Sequence, residues 1–252
     1  MGAPDQRGFA KSLQAVLPIS VFRPITVIYN TIMSKAPYGL KYPLGSMLRR
    51  HKYPYRVIKD GDVVVQVGAP RDILHAGRSR ALHFARMVGR GKAMIIEPDK
   101  ENVTALKEYA TANGLAQSVV IVEMGAWKEK ATLKFFSSPN HPASNLLEGV
   151  TDISQEQKEQ RGYQEVNVSV DTIDDMLERA GLYTPKLVSV TTNGAELQIL
   201  DGMKKTLAAG VEYISLASTG EGFFEYMDSI GFEYIARDDR GYCFRKKDIA
   251  DK

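Results

Sequence analysis

The chain has 252 residues and a hydrophobic content of 44%, which is enough to bury the core of one α/β domain of ordinary size. Charged residues at 25% and aromatic residues at 9% are average for globular proteins and exclude a mostly disordered chain. The single cysteine, Cys243, excludes an internal disulfide and a thiolate zinc cluster, and the four histidines lack zinc-binding spacing. We therefore predict no metal site, and the composition is compatible with the cytoplasm or another reducing compartment.

Positive charge is concentrated near the N-terminus. Residues 1–60 contain ten Lys and Arg against two acids, a net charge of +8, whereas the remaining residues have a net charge of −5. A basic arm on a mildly acidic domain favours docking to a membrane face, a nucleic acid or a partner subunit, and a solvated extension is the alternative. Nucleic acid is the least favoured of these partners because the chain contains no RRM, KH or Arg-rich motif.

The same arm contains an apolar stretch over residues 13–33, whose one charge is Arg23. Its length would suit a membrane span, but Arg23, Pro18 and Pro24 disfavour a straight helix buried in lipid. No small-x-small cleavage site stands out, which disfavours a signal peptide. We expect a broken amphipathic segment, so that residues 1–35 contact the domain, a protein complex or a membrane surface peripherally.

Residues 36–55 contain three prolines and four tyrosines, and this composition predicts irregular connecting structure. The pattern then changes to alternating strands and helices. We therefore divide the chain into an N-terminal extension, residues 1–59, and a domain, residues 60–252.

The domain is predicted to be a Rossmann-like α/β fold. Apolar, β-branched runs predict strands at residues 62–67, 93–96, 118–123, 187–191 and 211–216. Helical spacing of apolar residues predicts helices at residues 80–88, 100–112, 195–207 and 222–230. Residues 232–236 and 241–245 are predicted to form a terminal hairpin. Such alternation indicates a mostly parallel seven-stranded sheet with helices on both faces and an antiparallel end.

A ligand site is expected beyond the carboxyl ends of the first strands, where the strand order reverses. Four loops reach that edge: residues 68–77, 97–99, 124–127 and 191–194. Glu97 ends the second strand, where an acid can accept hydrogen bonds from both ribose hydroxyls. The alternative is an exposed acid beside a helix start, with Asp99 as the N-cap.

Five strings in this order carry a family resemblance: VVVQVGAP, IIEPDKENVTALKEYATANGL, VVIVEMGAW, VDTIDDML and VSVTTNGAELQILDGM. Over residues 60–217 they resemble the FkbM-type methyltransferases, which have the class I methyltransferase fold with its terminal hairpin. The resemblance implies binding of S-adenosylmethionine and methyl transfer, usually to an oxygen of a sugar, polyketide or other small molecule. The residues predicted to bind the cofactor are Gln66, Gly68, Ala69, Asp72, Glu97, Ala126, Trp127 and Thr191.

The chain departs from the family pattern in two loops. Gln66 stands where the family has Asp, and Pro70-Arg71-Asp72 replaces Asn-x-Gly; Pro70 has no N–H to donate. Asp72 is a candidate replacement for the missing acid. In the fourth-strand signature K-x-D-x-E-G-x-E, Thr191 and Asn193 replace the acids, whereas Gly194 and Glu196 remain.

Two interpretations remain open. In the first, the chain is an active methyltransferase whose base, if one is needed, is His141 in the loop of residues 137–145, or Glu196. His141 could equally be a surface histidine, and Glu196 could simply favour the helix dipole. In the second, the chain is a catalytically inactive methyltransferase fold that serves as a structural or docking subunit of a larger complex.

Overall fold

The computed structural model describes residues 37–138, 143, 145–148, 150, 154–160, 162–217 and 222–248. The strands in chain order are β1 Val63–Val67, β2 Lys92–Ile96, β3 Val119–Val122, β4 Gly125–Ala126, β5 Ala131–Ser137, β6 Leu146–Leu147, β7 Gln164–Asp171, β8 Leu187–Val190, β9 Tyr213–Leu216, β10 Phe232–Arg237 and β11 Tyr242–Lys246. The helices are α1 Tyr38–Arg49, α2 Arg71–His75, α3 Arg80–Val88, α4 Lys100–Ala112, α5 Gln155–Gln160, α6 Ile173–Arg179, α7 Glu196–Asp201, α8 Lys204–Ala209 and α9 Phe223–Ser229. A 3-10 turn spans Tyr55–Val57. The predictions for residues 1–35 and for His141 lie outside the described residues.

The main sheet has seven strands in the order β10-β11-β9-β8-β1-β2-β3. Strands β3, β2, β1, β8 and β9 run parallel, whereas β11 is antiparallel to both β9 and β10. The order reverses at β1, because the chain builds β2 and β3 on one side of it and β8 on the other. This architecture confirms the predicted mostly parallel sheet with an antiparallel terminal hairpin.

Apolar side chains cover both faces of the sheet. Val65, Val67 and Met94 belong to a core cluster with residues of α6, α7 and α9, whereas Val64 and Ala93 belong to a second cluster with residues of α1, α3 and α4. Successive strand residues point to opposite faces, which explains why the strands are continuous hydrophobic runs. Across the residues that the structure describes, no helix combines the length and hydrophobicity needed to cross a membrane.

Helix prediction was correct where local signals agree and wrong where tertiary contacts decide. Helices α3 and α4 have the predicted bounds, and Asp99 caps α4 by accepting from the backbone N–H groups of Glu101 and Asn102. The single helix predicted over residues 195–207 is wrong, because the chain forms α7 and α8 with Gly202 between them. A Cβ on Gly202 would meet the carbonyl oxygen of Trp127. The close approach of the loop after β4 therefore requires glycine at this break.

The irregular structure predicted for residues 36–55 is wrong over most of its length, since α1 occupies Tyr38–Arg49. Pro43 lies inside this helix and removes one backbone donor. Buried contacts of Tyr42 and Ser46 with the α/β domain offset that loss. Packing of one helix face has overridden the local proline signal.

A second, smaller sheet was not predicted. It has the order β4-β7-β5-β6 and is inserted in the chain between β3 and β8 of the main sheet. Strands β5 and β7 pair antiparallel along their whole length, from Ala131 opposite Val170 to Ser137 opposite Gln164. Alternation of Val166, Val168 and Val170 with polar residues is the sequence signal that could have revealed β7.

A buried ion cluster connects α3 to the terminal hairpin. The guanidinium of Arg80 donates to Asp238 at 2.7 Å and to Asp239 at 2.5 Å. It also donates to the hydroxyls of Ser189 in β8, at 3.0 Å, and Ser215 in β9, at 2.6 Å. The side chains of Arg80 and Asp238 are 2% and 0% exposed, so water does not screen this pair. Arg80 thereby fixes the turn between β10 and β11 against the middle of the sheet.

Candidate functional site

A cavity lies at the carboxyl ends of β1, β2 and β8, where the strand order reverses. The loops after these strands contribute Gly68 and Pro70, Glu97 and Pro98, and the segment from Thr191 to Asn193. Gly125 and Ala126, which form the short strand β4 in the segment after β3, line it as well. All four loops selected from the sequence therefore meet at one site.

Gly68 allows the ends of β1 and β8 to approach closely. Its φ of +86° is a left-handed conformation, and a Cβ at this position would lie 2.6 Å from the carbonyl oxygen of Thr191. The backbone N–H of Gly68 donates to Ile96 at the end of β2, at 2.9 Å. Glycine is required here because any side chain would push the two strand ends apart.

Glu97 is buried at the end of β2 and joins two of the cavity loops. One carboxylate oxygen accepts from the backbone N–H of Ala69 at 2.7 Å; the other accepts from Asp99 N–H at 3.1 Å and Asn102 Nδ2 at 3.2 Å. Burial raises the pKa of Glu97, although these three donors favour its ionised form. The oxygen bonded to Ala69 keeps acceptor capacity for a ligand hydroxyl. Asp99, not Glu97, is the N-cap of α4, so helix capping does not account for Glu97.

Gln66 is buried below the loop after β1 and donates from its amide nitrogen to neighbouring oxygens. Nε2 lies 2.7 Å from the carbonyl oxygen of Val67, 2.9 Å from that of Gly68 and 2.8 Å from Thr191 Oγ1. Thr191 Oγ1 itself donates to Val67 at 3.0 Å. The amide oxygen of Gln66 is buried and has no hydrogen-bond partner among the described residues. A carboxylate at this position could not donate to these carbonyl groups.

Asn193 also donates where the family has an acid. Its Nδ2 contacts the carbonyl oxygens of Ala143 at 3.2 Å and Asn145 at 2.8 Å. The side chain of Asn145 accepts from the backbone of Ser138 and donates to Asp99 at 3.2 Å. Asn145 thus bridges the loop after β2 and the loop after β8 over the cavity.

The small sheet supplies an apolar wall that sequence reasoning missed. Phe135 of β5, Leu147 of β6, and Val168 and Val170 of β7 line the cavity, with Val150 beside them. Their side chains keep water from that side of the site.

The other predicted site residues are divided between the cavity and its surroundings. Ala126 lines the cavity, whereas Trp127 is not part of the lining; it is half-buried and packs against the cluster of Phe135, Val168 and Val170. Asp72 is exposed in the first turn of α2, so the structure does not bring it to the cavity in place of the missing acid. Glu196 is buried at the start of α7 but is not part of the lining.

The lining of the cavity contains few ionisable groups. Among the described residues that line it, Glu97 is the one ionisable side chain. Within the same described part of the chain, no group of three or more His, Cys, Asp or Glu could hold a metal ion.

Helix α1 is bonded to the back of the loop after β1. Tyr42 donates its hydroxyl to the carbonyl oxygen of Leu74 at 2.8 Å, and Lys41 donates to that of His75 at 3.1 Å. Ser46 Oγ lies 2.9 Å from His83 Nδ1, and His83 Nε2 lies 3.3 Å from the carbonyl oxygen of Gly77. Burial holds the pKa of His83 well below its usual range, so the ring is neutral and can make both contacts.

The strand order, the terminal hairpin and a cavity at the strand reversal together define a class I methyltransferase fold of the Rossmann-like type. The family model for the Methyltransferase FkbM domain matches residues 66–237. The chain therefore belongs to the FkbM methyltransferase domain family. A comparison with curated proteins finds no match.

Three solved structures are similar to this chain at low sequence identity. A methyltransferase FkbM from Methylobacillus flagellatus KT is 16% identical with a TM-score of 0.48; the alignment covers 89% of this chain and 59% of that one. A putative rRNA methylase from Clostridium thermocellum is 12% identical with a TM-score of 0.41, covering 83% and 96% respectively. M. capricolum TrmK in complex with S-adenosyl-homocysteine is 9% identical with a TM-score of 0.37, covering 80% and 72%. This chain thus spans about three fifths of the M. flagellatus protein.

Proposed function

We propose that this chain is a methyltransferase that uses S-adenosylmethionine to methylate an oxygen of a small molecule or glycan. The observation that carries the proposal is Glu97, a buried carboxylate at the strand reversal of a chain in the FkbM family. Such an acid is suited to accept hydrogen bonds from ribose hydroxyls. The nucleoside part of the cofactor fits this arrangement.

The residues around the cavity would bind the cofactor, orient it and exclude water. Glu97 would hold the ribose, while Gly68 lets the backbone approach the ligand. Phe135 and Val170 would keep water from the reacting atoms. The bound cofactor supplies an electrophilic methyl group on a sulfonium. Transfer of this group requires mainly in-line positioning of the acceptor oxygen.

The chemistry of the lining restricts how a proton could be removed from the acceptor. Glu97 is already bonded to three donors, and Glu196 does not reach the lining. Acceptor hydroxyls of low pKa are therefore the favoured substrates, unless His141 supplies a base as the sequence suggests.

Isothermal titration with S-adenosylmethionine and S-adenosylhomocysteine tests the cofactor assignment. We expect micromolar binding by the full chain and a loss of at least about tenfold on Glu97→Ala, since a charge-assisted hydrogen bond contributes roughly 1.5–3 kcal/mol. Glu123→Ala is the matched control because Glu123 follows β3 as Glu97 follows β2, but is exposed. No binding at millimolar ligand, or equal effects of the two substitutions, would rule out the proposal. A labelled-methyl assay on sugar and phenol libraries would then identify the acceptor.

The alternative function is a catalytically inactive subunit of a larger complex. Two features favour this alternative. The first is that Gln66 and Asn193 donate to backbone carbonyl groups where the family has acids, so their amide nitrogens occupy acceptors that a cationic ligand would use. The second feature is an exposed apolar stripe on α1, formed by Leu40, Leu44 and Met47, which are 63%, 41% and 57% exposed.

That stripe has the composition of a membrane-docking face. Leu40, Leu44 and Met47 repeat at positions i, i+4 and i+7, and therefore lie on one side of the helix. Arg50 is exposed directly after the helix and Arg56 is exposed in the following 3-10 turn, both within the N-terminal region of +8 net charge. An apolar stripe beside basic residues favours the interface of an anionic membrane over a neutral protein surface. In this alternative, the extension would recruit the domain to a membrane-associated complex.

A further inference from the structure

The two ends of the cavity differ in chemistry. At the β2 end, Glu97 is a carboxylate with remaining acceptor capacity. At the β8 end, the polar lining consists of Thr191, Thr192 and Asn193, with Gln66 beneath them. The cavity extends from the end of β2 across β1 to the end of β8, so a nucleoside whose ribose contacts Glu97 has room there for its 5′ substituent. The substituent would therefore meet the neutral end.

At the neutral end, internal hydrogen bonds already pair the donor groups with the backbone carbonyl oxygens. Gln66 Nε2 occupies the carbonyl oxygens of Val67 and Gly68, and Thr191 Oγ1 donates to the same group of oxygens. An ammonium group of a ligand would have to compete for these acceptors, and Gln66 offers in exchange only one neutral amide oxygen. Pro70 contributes no backbone N–H for a ligand carboxylate. The aminoacyl part of S-adenosylmethionine thus fits this end poorly.

We propose that the site recognises the nucleoside part of its ligand, and that an uncharged 5′-thioether nucleoside binds it as tightly as S-adenosylhomocysteine does. The inference rests on the proposed function, from which it takes the contact between ribose and Glu97. An uncharged thioether nucleoside would then be an effective competitor of the methyl donor.

Isothermal titration of the full chain with 5′-deoxy-5′-methylthioadenosine and S-adenosylhomocysteine tests this inference. We expect dissociation constants within about threefold of each other. An ammonium group held by a charge-assisted bond would make S-adenosylhomocysteine bind at least about tenfold more tightly, and that result would overturn the inference while leaving the proposed function standing. Equal binding of methylthioadenosine and S-adenosylhomocysteine without any binding of S-adenosylmethionine would overturn the proposed function alone. Absence of all binding would overturn both.

Two variants locate the effect in the structure. Thr191→Asp restores a carboxylate at the β8 end, so it should shift the preference toward S-adenosylhomocysteine by about tenfold. Glu97→Gln is the control: it should weaken both ligands equally and leave their ratio unchanged. If the ratio of the two dissociation constants were unchanged by Thr191→Asp, or changed by Glu97→Gln, the assignment of the ribose to the β2 end and the 5′ substituent to the β8 end would be contradicted.

Discussion

Two buried residues, Gln66 and Glu97, define opposite electrostatic requirements within one cavity. Gln66 must donate, because three oxygens surround its amide nitrogen at 2.7–2.9 Å. Glu97 must accept, because three N–H groups point at its carboxylate. Replacing Gln66 by Glu, or Glu97 by Gln, should therefore have a measurable effect on stability or on ligand affinity.

Gln66→Glu should destabilise the ligand-free protein by about 1–3 kcal/mol at pH 8, since a buried carboxylate would face carbonyl oxygens and lose its donors. Urea unfolding measures the change in the free energy of unfolding. Gln164→Glu is the matched control because Gln164 is exposed at the start of β7, and it should have little effect. Equal stability of both variants would show that the amide of Gln66 donates no significant bonds.

Glu97 should make ligand binding depend on pH. Burial raises its pKa, so the folded protein binds this proton at a pH where the unfolded chain has already released it. Its contribution to stability is therefore present at low pH and is lost as pH rises through the raised pKa. The pH dependence of ligand affinity has the opposite sign: affinity rises with pH, because ribose hydroxyls donate to the ionised carboxylate.

We therefore expect the affinity for S-adenosylhomocysteine to fall by up to about tenfold per pH unit as pH is lowered from neutral through the pKa of Glu97. Titration calorimetry over a pH series measures this slope. Glu97→Gln should bind weakly with a flat pH profile. A wild-type profile as flat as that of the variant would exclude titration of Glu97 as the cause.

Among the elements, α3 and the β10–β11 hairpin depend on each other through Arg80. Burial opposes ionisation of Asp239, but the guanidinium of Arg80, with Arg240 and Arg49, outweighs it and holds the pKa of Asp239 well below its usual range. Asp239 thus stabilises the fold at neutral pH and loses this contribution only in strong acid, as pH falls through the lowered pKa. Tyr55 adds a hydrogen bond to Asp239 at 2.8 Å from the 3-10 turn.

Arg80→Met should lower the free energy of unfolding by about 3–5 kcal/mol, because it leaves the buried carboxylate of Asp238 without its cation. Arg90→Met provides the control, since Arg90 pairs with Asp60 at the surface and its side chain is 88% exposed. Chemical unfolding of both variants should show a large loss for the first and a much smaller one for the second. Similar losses would mean that burial of the Arg80 cluster contributes nothing beyond a surface pair.

Helix α1 combines an inner face that is bonded to the domain with an outer apolar stripe. Replacing Leu40, Leu44 and Met47 by Ser should reduce binding to vesicles of anionic lipid at least about tenfold while the fold is retained, because it removes buried apolar area from the interface. Val166→Ser with Tyr183→Ser, two exposed apolar residues outside α1, is the control in a flotation assay. Equal binding by both variants and the wild type would exclude the stripe as a membrane contact.

For the molecule as a whole, the features that could be predicted from the sequence are those that hydrophobic periodicity and turn residues determine. The positions of the central strands, their parallel alignment, the hairpin and the convergence of the four loops at one edge of the sheet follow from local pattern and parallel topology. Helix α1 was missed because Pro43 signals a break, and its burial against α3 is a tertiary effect. The cluster of Arg80 with Asp238 could not be predicted, since 158 residues separate the two partners in the chain.

The features of the site that could not be predicted from the sequence also have a physical explanation. Gln66 and Asn193 were recognised as lost acids, but their gain of donor function depends on carbonyl groups of neighbouring loops. The apolar wall comes from strands that pair with each other outside the main sheet. The spacing of residues along the chain does not show which carbonyl group a side chain donates to. It also does not show which face of the second sheet packs on the cavity.

The separation between Arg80 and its acids also constrains the order in which the protein can be completed during synthesis. Arg80 emerges from the ribosome long before Asp238 and Asp239, and its burial position lies against β8 and β9. Burying a guanidinium without its carboxylates would cost several kcal/mol. A nascent chain that ends before residue 238 must therefore leave Arg80 in water and α3 incompletely packed. The β10–β11 hairpin, which follows every other strand of the main sheet in the chain, is what permits the first half of the domain to close.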